Sequence, residues 1–263
     1  MEVKKYLERI NYGDRTEATV AVLNILQKKH LLSVPFENLD IHYNNPIKLN
    51  RPDIYNKVVG GRRGGFCYEL NGIFYELLNS IGFDVKMVSA RVFNQKHETF
   101  SPEFDHLAII TKIDSINYLT DVGFGEFAFT PLKIELSTIL HDERGVFRIE
   151  KYDEEYYQVS KQADESWIPE YMFTLKARDL NEFRQRCHYN QTSPSSHFTQ
   201  NKFCSLATEK GRITVTANKI KITEGDTIIE LPVNGEEEFL KALRKYFQIR
   251  LNETAQFTSV TPV

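Results

Sequence analysis

The stretch RRGGFCYELN, residues 62–71, organises the rest of the chain. A helical pattern begins within it, because the apolar residues that follow recur at helical spacing, at Phe66, Leu70, Ile73, Phe74, Leu77, Leu78 and Ile81. Gly82 follows the last of them, where a glycine commonly ends a helix. The pattern therefore predicts a helix that begins near Cys67 and ends at Gly82.

The position of Cys67 in this helix indicates a nucleophile. Backbone N–H groups without a partner and the positive end of the helix dipole favour a thiolate in a first turn. Gly64 and Gly65 either allow a close approach of another group or adopt positive φ. We therefore expect Cys67 to react if a base stands nearby. Cys187 and Cys204 lack a glycine-led helix start, and we interpret them as core residues.

The composition is that of an ordinary globular enzyme. Of the 263 residues, 41% are hydrophobic and 26% are charged. The net charge of −3 disfavours nucleic acid or a membrane surface as a partner. Three cysteines without a CxxC spacing indicate a reducing compartment and no structural metal. The N-terminus MEVKKYLERI lacks the apolar core of a signal peptide, so we expect a cytoplasmic protein without a membrane segment.

The residue patterns predict a helical first third, a β-rich middle third and a mixed last third. Residues 2–34 are predicted to form helices, the second capped by Asp14 or Thr16 and ended by Pro35. The strand-like runs that follow predict a small antiparallel sheet or barrel; they are residues 85–92, 107–113, 118–122, 131–136, 146–151 and 156–160. The last third is predicted to contain helix 179–189, loop 190–198, strands within 203–233 with turns at 209–211 and 224–226, helix 236–249 and a polar arm.

Among the seven histidines, His106 is the one for which the pattern supplies a carboxylate. It opens the strand-like run HLAIITKI, and the next run, NYLTDVGFG, contains Asp121. A turn at Asp114 and Ser115 would place His106 and Asp121 opposite or diagonally adjacent on one face of a hairpin. Opposite Cβ atoms lie about 4.5–5.5 Å apart, so the carboxylate can hold the imidazole and leave its other nitrogen for a thiol. The sequence thus predicts Cys67 as nucleophile, His106 as base and Asp121 as its orienting partner.

Several motifs together resemble the arylamine N-acetyltransferase family. They are PFENLD (35–40), RRGGFCYELN, the HLAII strand, DVGFG (121–125) and NQTSPSSHFTQNKFCSLAT (190–208). They occur in the family's order and cover essentially the whole chain. The resemblance implies an α+β fold, with an N-terminal helical bundle, a central antiparallel β-barrel-like domain and a C-terminal α/β lid around a cysteine-protease-like catalytic core.

The resemblance also implies a division of labour along the chain. Residues 1–82 would be a helical domain with the nucleophile, 83–178 a β-barrel domain with His106 and Asp121, 179–200 an interdomain helix and loop, and 201–263 the lid. Cys67 would take an acetyl group from acetyl-CoA and pass it to an arylamine, a hydrazine or an N-hydroxyarylamine by a ping-pong mechanism. His106 would manage the proton, and no metal is implied.

Family positions for the substrates carry over residue by residue. The acceptor site is expected to be lined, and its preference tuned, by Phe36, Val92, Phe124, Glu126 and Ala128. Contacts to CoA are expected from Tyr189, Ser195 and Phe198. A charged pair, Glu37 and Arg63, is expected to support the loop of the nucleophile. Without the resemblance, Phe36 and Val92 also fit the pattern of plain core residues. The loop at 190–198 also fits that of a simple connector.

Two other enzymatic functions remain open. A Cys-His-Asp set on a helix start and adjacent strands is shared with thiol hydrolases such as transglutaminases and papain-like enzymes, which need a groove for a polypeptide. An acyltransferase on the same scaffold could form another amide, for instance by closing a carrier-bound polyketide chain. A binding protein without activity is disfavoured, because the cysteine, the histidine and the aspartate are all present.

Overall fold

The computed structural model describes residues 1–251, so the arm predicted for the last dozen residues lies outside the described part. The α-helices are α1 (Val3–Arg9), α2 (Val20–Ser33), α3 (Leu39–His42), α4 (Arg51–Tyr55), α5 (Cys67–Ile81), α6 (Arg184–Thr192), α7 (His197–Gln200) and α8 (Glu236–Phe247). A π-helical turn (Asn56–Gly60) continues α4, and a 3₁₀ turn (Leu180–Phe183) leads into α6.

The strands lie mainly in the middle and last thirds of the chain. They are β1 (Phe36–Glu37), β2 (Asp84–Asn94), β3 (Thr99–Phe100), β4 (His106–Ile113), β5 (Ile116–Thr120), β6 (Leu132–Lys133), β7 (Leu140–Asp142), β8 (Gly145–Lys151), β9 (Tyr156–Ala163), β10 (Ser166–Thr174), β11 (Phe203–Thr208), β12 (Gly211–Thr216), β13 (Lys219–Glu224) and β14 (Thr227–Pro232).

The helical first third has the predicted order, with one correction at the start of α2. The N-cap is Thr19 and not Asp14 or Thr16. Thr19 has the extended backbone of a cap (φ −115°, ψ 158°), and its hydroxyl accepts a backbone N–H of the first turn at 3.3 Å. The helix ends at Ser33, just before Pro35, since a residue that precedes proline disfavours helical backbone.

Helix α5 runs through the interior and is fixed at both ends. It is buried continuously from Cys67 to Phe74. At its start, the Glu69 carboxylate accepts the backbone N–H of Phe66 at 3.2 Å, which satisfies one N–H of the helix start. At its end, Gly82 adopts φ 103°, the left-handed conformation predicted for this glycine. Cys67 therefore stands on a rigid element.

Strands β2 to β10 form one antiparallel sheet that curls into a nearly closed barrel. The strand order is β6-β5-β4-β2-β10-β9-β8-β7, and β3 pairs with β2 beside this path. A bridge between Leu136, which follows β6, and Ile149 of β8 brings the two ends of the sheet together. A cluster of buried apolar residues that includes Phe147 and Tyr171 fills the interior. The predicted barrel-like sheet is confirmed.

Two of the differences from the sequence prediction concern elements near the site. Strand β10 was not predicted, although it lies between β2 and β9. It contains Pro169, and the register shifts between Pro169 and Tyr171, a bulge that accommodates the missing N–H. The predicted loop at 190–198 is partly helical, because α6 continues to Thr192 and α7 begins at His197 after Ser196 caps it.

The last third forms a second sheet, with the order β1-β11-β12-β13-β14, against which α8 packs. The predicted turns are confirmed, and Gly225 between β13 and β14 adopts φ 56°. Strand β1 comes from the first third: Phe36 pairs with Ser205 of β11 and also forms a bridge to Gly65. This sheet is thereby joined to the segment that precedes Cys67.

The predicted α+β architecture of helical bundle, barrel-like sheet and α/β region is confirmed. The largest apolar cluster extends from Tyr6 in α1 to Ala207 in β11, so packing crosses the proposed boundaries. The division at residues 82, 178 and 200 therefore stays a prediction. No helix within residues 1–251 is long and apolar enough to cross a membrane.

Candidate active site

The glycine pair before Cys67 serves a close approach between two backbone segments. Glu37 donates its N–H to Gly65 O at 2.9 Å, and Gly65 donates to Pro35 O at 3.4 Å. A Cβ on Gly64 would stand 1.9 Å from Pro35 O, and neither Gly64 nor Gly65 has positive φ. Of the two reasons predicted for the pair, close approach is the correct one.

The hairpin formed by β4 and β5 places His106 beside Asp121. Asp114 and Ser115 form its turn with φ of 48° and 66°, the positive values of a two-residue hairpin turn. The register pairs Ile109 with Thr120, so Asp121 lies diagonally across from His106, as predicted. His106 Nε2 and Asp121 Oδ2 are 2.6 Å apart, which leaves the other ring nitrogen, Nδ1, for Cys67.

Asp121 accepts hydrogen bonds on both carboxylate oxygens. Besides His106, the Tyr171 hydroxyl donates to Oδ2 at 2.9 Å. Asn71 Nδ2 and the backbone N–H of Gly123 each donate to Oδ1 at 2.8 Å. Four groups thus hold a side chain that is completely buried. The sequence analysis predicted neither Tyr171 nor Asn71 as a partner of Asp121. Tyr171 lies on β10, which was not predicted, and no role was predicted for Asn71, the last residue of RRGGFCYELN.

The interaction between His106 and Asp121 outweighs the effect of burial on the pKa of each residue. Burial alone would lower the pKa of His106, but the charge and hydrogen bond of Asp121, with a contribution from Cys67, raise it to about 10. Burial alone would raise the pKa of Asp121, but His106, Asn71 and Gly123 together hold it below its usual value. At neutral pH the pair is therefore imidazolium and carboxylate.

Burial disfavours the thiolate form of Cys67, whereas the helix start favours it. The residue is only 4% exposed, and burial raises the pKa of its thiol above the usual value, while the hydrogen bond and charge of His106 lower it in part. The helix start therefore does not act alone on this thiol. The thiolate depends on the imidazolium of His106.

A pocket of about 650 Å³ opens at Cys67 and His106. Four of the five predicted acceptor residues and one predicted CoA residue lie on its wall, namely Phe36, Val92, Phe124, Glu126 and Phe198. Helix α7 and the α/β region supply further wall residues for which the sequence predicted no role: His197, Phe203, Ser205, Arg212 and Thr214. Three of them lie in the motif at residues 190–208, but no pattern in the sequence showed that they face the pocket, because they meet it only when α7, β11 and β12 fold over it.

Three predicted substrate contacts do not line this pocket. Ala128 is completely buried in the barrel interior. Tyr189 is 38% exposed and lies over the guanidinium of Arg186, at 4.3 Å from the ring centroid. Ser195 is exposed between α6 and α7. Within residues 1–251 no cluster of His, Cys, Asp and Glu is arranged to hold a metal ion.

Comparison with known proteins decides the family. An N-acetyltransferase family model matches residues 19–256. Human arylamine N-acetyltransferase 1 is 32% identical over 275 aligned residues, which cover 95% of this chain and 95% of the human protein. The chain belongs to the arylamine N-acetyltransferase family. The chicken pineal gland isozyme NAT-3 is 30% identical, with 96% of each chain covered.

Solved arylamine N-acetyltransferase structures share the fold. The enzyme of Mycobacterium smegmatis superposes with a TM-score of 0.88 at 25% identity, over 95% of this chain and 93% of that one. The enzyme of Bacillus cereus, described as having a Cys-His-Glu catalytic triad, gives a TM-score of 0.88 at 24% identity, over 95% and 100% of the chains. The expected cysteine-protease-like core is thus confirmed as a property of this N-acetyltransferase fold.

In this N-acetyltransferase, Gly123 brings the DVGFG loop against Cys67. A Cβ at Gly123 would stand 2.8 Å from Cys67 Cα, a backbone atom that cannot move without shifting α5. We expect Gly123→Ala to lower kcat/KM by about a hundredfold, because a displacement near 1 Å is enough for such a loss. Gly125→Ala is the matched control, since nothing lies within 4 Å of its Cβ. Equal activities of the two variants would contradict this role of Gly123.

The predicted pair Glu37 and Arg63 belongs to a buried charge network behind the nucleophile's loop. Arg63 Nη2 lies 2.8 Å from Glu37 Oε1 and 3.0 Å from Asp40 Oδ1. Lys57 Nζ lies 2.8 Å from both Asp40 Oδ2 and Glu69 Oε1. Because Glu69 also holds the start of α5, the network connects β1 to the helix that carries Cys67.

Removing Arg63 should destabilise the enzyme. We expect Arg63→Met to lower the free energy of unfolding by about 3–5 kcal/mol, because the carboxylate of Glu37, which is 0% exposed, would lose its counter-ion. Urea denaturation measures the change. Arg62→Met is the control: Arg62 is exposed, and we expect a change below about 0.5 kcal/mol. Similar losses in both variants would argue against the network.

Proposed function

We propose that this enzyme transfers the acetyl group of acetyl-CoA to arylamines, hydrazines and N-hydroxyarylamines through an acetyl-Cys67 intermediate. One observation carries the proposal: Cys67 and His106 stand together at an aromatic pocket, and the imidazole is held by a fully buried carboxylate. Membership of the family supplies the arylamine acceptor and the acetyl group.

In the first half-reaction, the Cys67 thiolate attacks the thioester carbonyl of acetyl-CoA. A bond forms between Sγ and the acetyl carbon, and the bond from that carbon to the CoA sulfur breaks. The departing thiolate takes the proton of the His106 imidazolium and leaves as CoA. Cys67 is the first residue of α5, so its backbone N–H has no acceptor within the helix and is a candidate donor to the developing oxyanion.

In the second half-reaction, the amine nitrogen attacks the acetyl carbon and the bond to Sγ breaks. The nitrogen gives a proton to the now neutral His106, and the thiolate and imidazolium are restored. Asp121 keeps the ring in one orientation through both steps and stabilises its charged form. The Cys-His-Glu triad described for the Bacillus cereus relative supports assigning this task to a carboxylate.

The pocket wall suits an aromatic acceptor. Phe36 stacks with Phe203 of β11 at 5.8 Å and with Phe198 of α7 at 6.2 Å between ring centroids. Phe124 meets the His106 ring edge-on at 5.3 Å. An arylamine ring can pack on these faces while its nitrogen points to Cys67.

The donor contacts rest on the resemblance and on Phe198, the one predicted CoA residue on the pocket wall. We propose that the acyl end of acetyl-CoA enters this pocket and that Tyr189 and Ser195 contact the cofactor outside it. A cytoplasmic location and the absence of nucleic acid partners remain expectations from the sequence.

Intact-mass measurement tests the proposal. Incubation with acetyl-CoA alone should add one acetyl group at Cys67, and a subsequent arylamine should remove it. Cys67→Ala is the control and should gain nothing. Peptide or amide cleavage without an adduct would instead support the thiol hydrolase alternative, and an acyl chain accepted only from a carrier would support the other acyltransferase.

A further inference from the structure

A second carboxylate, apart from Asp121, lies beside the nucleophile. Asp105 immediately precedes His106, lines the pocket, and has a side chain only 18% exposed. Its backbone oxygen accepts from Cys67 Sγ at 3.9 Å and from the Tyr68 hydroxyl at 3.2 Å. A negative charge here opposes the formation of a thiolate on Cys67, and the Asp105 charge indeed raises the pKa of the Cys67 thiol.

Helix α6 places a cation on this carboxylate. Arg186 Nε lies 2.6 Å from Asp105 Oδ1, and its side chain is 21% exposed. Asn190, one turn further along α6, donates from Nδ2 to the same oxygen at 3.2 Å. The ring of Tyr189 covers the guanidinium at 4.3 Å. Arg186 is therefore held in one place and in one pairing.

The other carboxylates around Cys67 do not depend on Arg186 to balance their charge. Several elements contribute charged or titratable groups that face the site. They are Tyr68 of α5, Asp105 and His106 at the start of β4, Asp121 and Glu126 of the loop after β5, Tyr171 of β10, Arg186 of α6, His197 of α7 and Arg212 of β12. Asp121 is compensated by His106, and Glu126 is exposed to water. Asp105 is the acid next to Cys67 that depends on Arg186.

We propose that Arg186 is a positioning residue that shields the nucleophile: its ion pair with Asp105 cancels the carboxylate charge beside Cys67 and fixes the segment from which His106 starts. No pattern in the sequence pointed to Arg186, because its pairing joins α6 to the start of the distant strand β4. This inference rests on the proposed function only in taking Cys67 as the nucleophile.

The test is the rate of Cys67 alkylation by iodoacetamide as a function of pH, with the adduct located by mass spectrometry. We expect Arg186→Gln to alkylate about tenfold more slowly at neutral pH, with its profile displaced to higher pH, because the Asp105 charge is then uncompensated. Arg186→Lys should recover most of the rate. The double variant Asp105→Asn/Arg186→Gln should return to within about twofold of the parent enzyme.

A further variant distinguishes the effect of charge from that of misfolding. Asp105→Asn alone keeps Arg186 and removes the opposing charge, so its profile should move to lower pH. An unchanged profile in Arg186→Gln, or a double variant as slow as Arg186→Gln, would overturn the inference, since loss of structure alone is not restored by a second neutral substitution. Failure of the proposed function has another signature: no acetyl-Cys67 would form in the parent enzyme, whatever the alkylation profiles show.

Discussion

The Cys67→Ser variant is expected to lose acetyl transfer by at least about a thousandfold while it keeps the parent fold. A serine hydroxyl has almost the same shape as the thiol, so the buried start of α5 remains packed. It does not ionise near neutral pH, however, and the His106 imidazolium cannot make an oxyanion of it. We expect CoA release from acetyl-CoA in the presence of an arylamine to fall to background.

Cys187→Ser is the matched control for this prediction. Cys187 is also buried, on α6, and burial with the charge of Glu69 raises the pKa of its thiol to about 12, which keeps it unreactive. This variant should retain most of the activity and any loss should appear as stability. Substantial transfer by Cys67→Ser would remove Cys67 from the mechanism.

Asp121→Asn is expected to lower kcat by about a thousandfold or more. The two oxygens of Asp121 face four donors, from His106, Tyr171, Asn71 and Gly123. An amide has one oxygen, so whichever way it is turned its NH₂ group meets two donors. If the NH₂ faces His106, the ring must carry its proton on Nδ1 and can no longer receive the one that the amine releases.

Two further variants serve as comparisons for Asp121→Asn. Tyr171→Phe removes one neutral donor from Oδ2, and we expect a loss of only about tenfold or less. Asp121→Glu keeps the charge and should retain more activity than Asp121→Asn. Equal kcat in Asp121→Asn and the parent would show that the carboxylate does not orient the base.

The same variant should change the pH dependence of stability. The folded pKa of His106, about 10, lies above its unfolded value, so its contribution is fully present below the unfolded pKa and is lost as the pH rises through about 10. Asp121 has a lowered pKa, so its contribution is lost as the pH falls towards and below the usual carboxyl range. The difference in unfolding free energy between the parent and Asp121→Asn should therefore be greatest in mildly acidic to neutral solution. A difference that stays constant up to pH 11 would contradict the ion pair.

The placement of Cys67, His106 and Asp121 was predictable because each depends on local pattern. Helix α5 has an uninterrupted apolar stripe and a terminal glycine, and Gly82 adopts the backbone conformation expected of it. The diagonal placement of His106 and Asp121 follows from the turn at Asp114 and Ser115, since a two-residue turn fixes the register of a hairpin.

Residues that act across long separations were not predictable in the same way. Tyr171 lies on β10, where Pro169 interrupts the strand pattern, and only the sheet order brings it to Asp121. The burial that raises the pKa of the Cys67 thiol was not predictable, because a sequence shows a helix start but not how deeply it is buried. Ala128 was assigned to the pocket because it continues the Phe124 loop, but the chain has by then turned into the barrel interior.

The most direct test isolates the acetylated enzyme from acetyl-CoA and mixes it with an arylamine while intact mass and product are followed together. The mechanism predicts that the acetyl group leaves Cys67 and appears on the amine in equal amount, at a rate no slower than kcat. Product that forms only when acetyl-CoA is present, with the adduct on Cys67 left in place, would show direct transfer from the donor and would contradict the acetyl-cysteine intermediate.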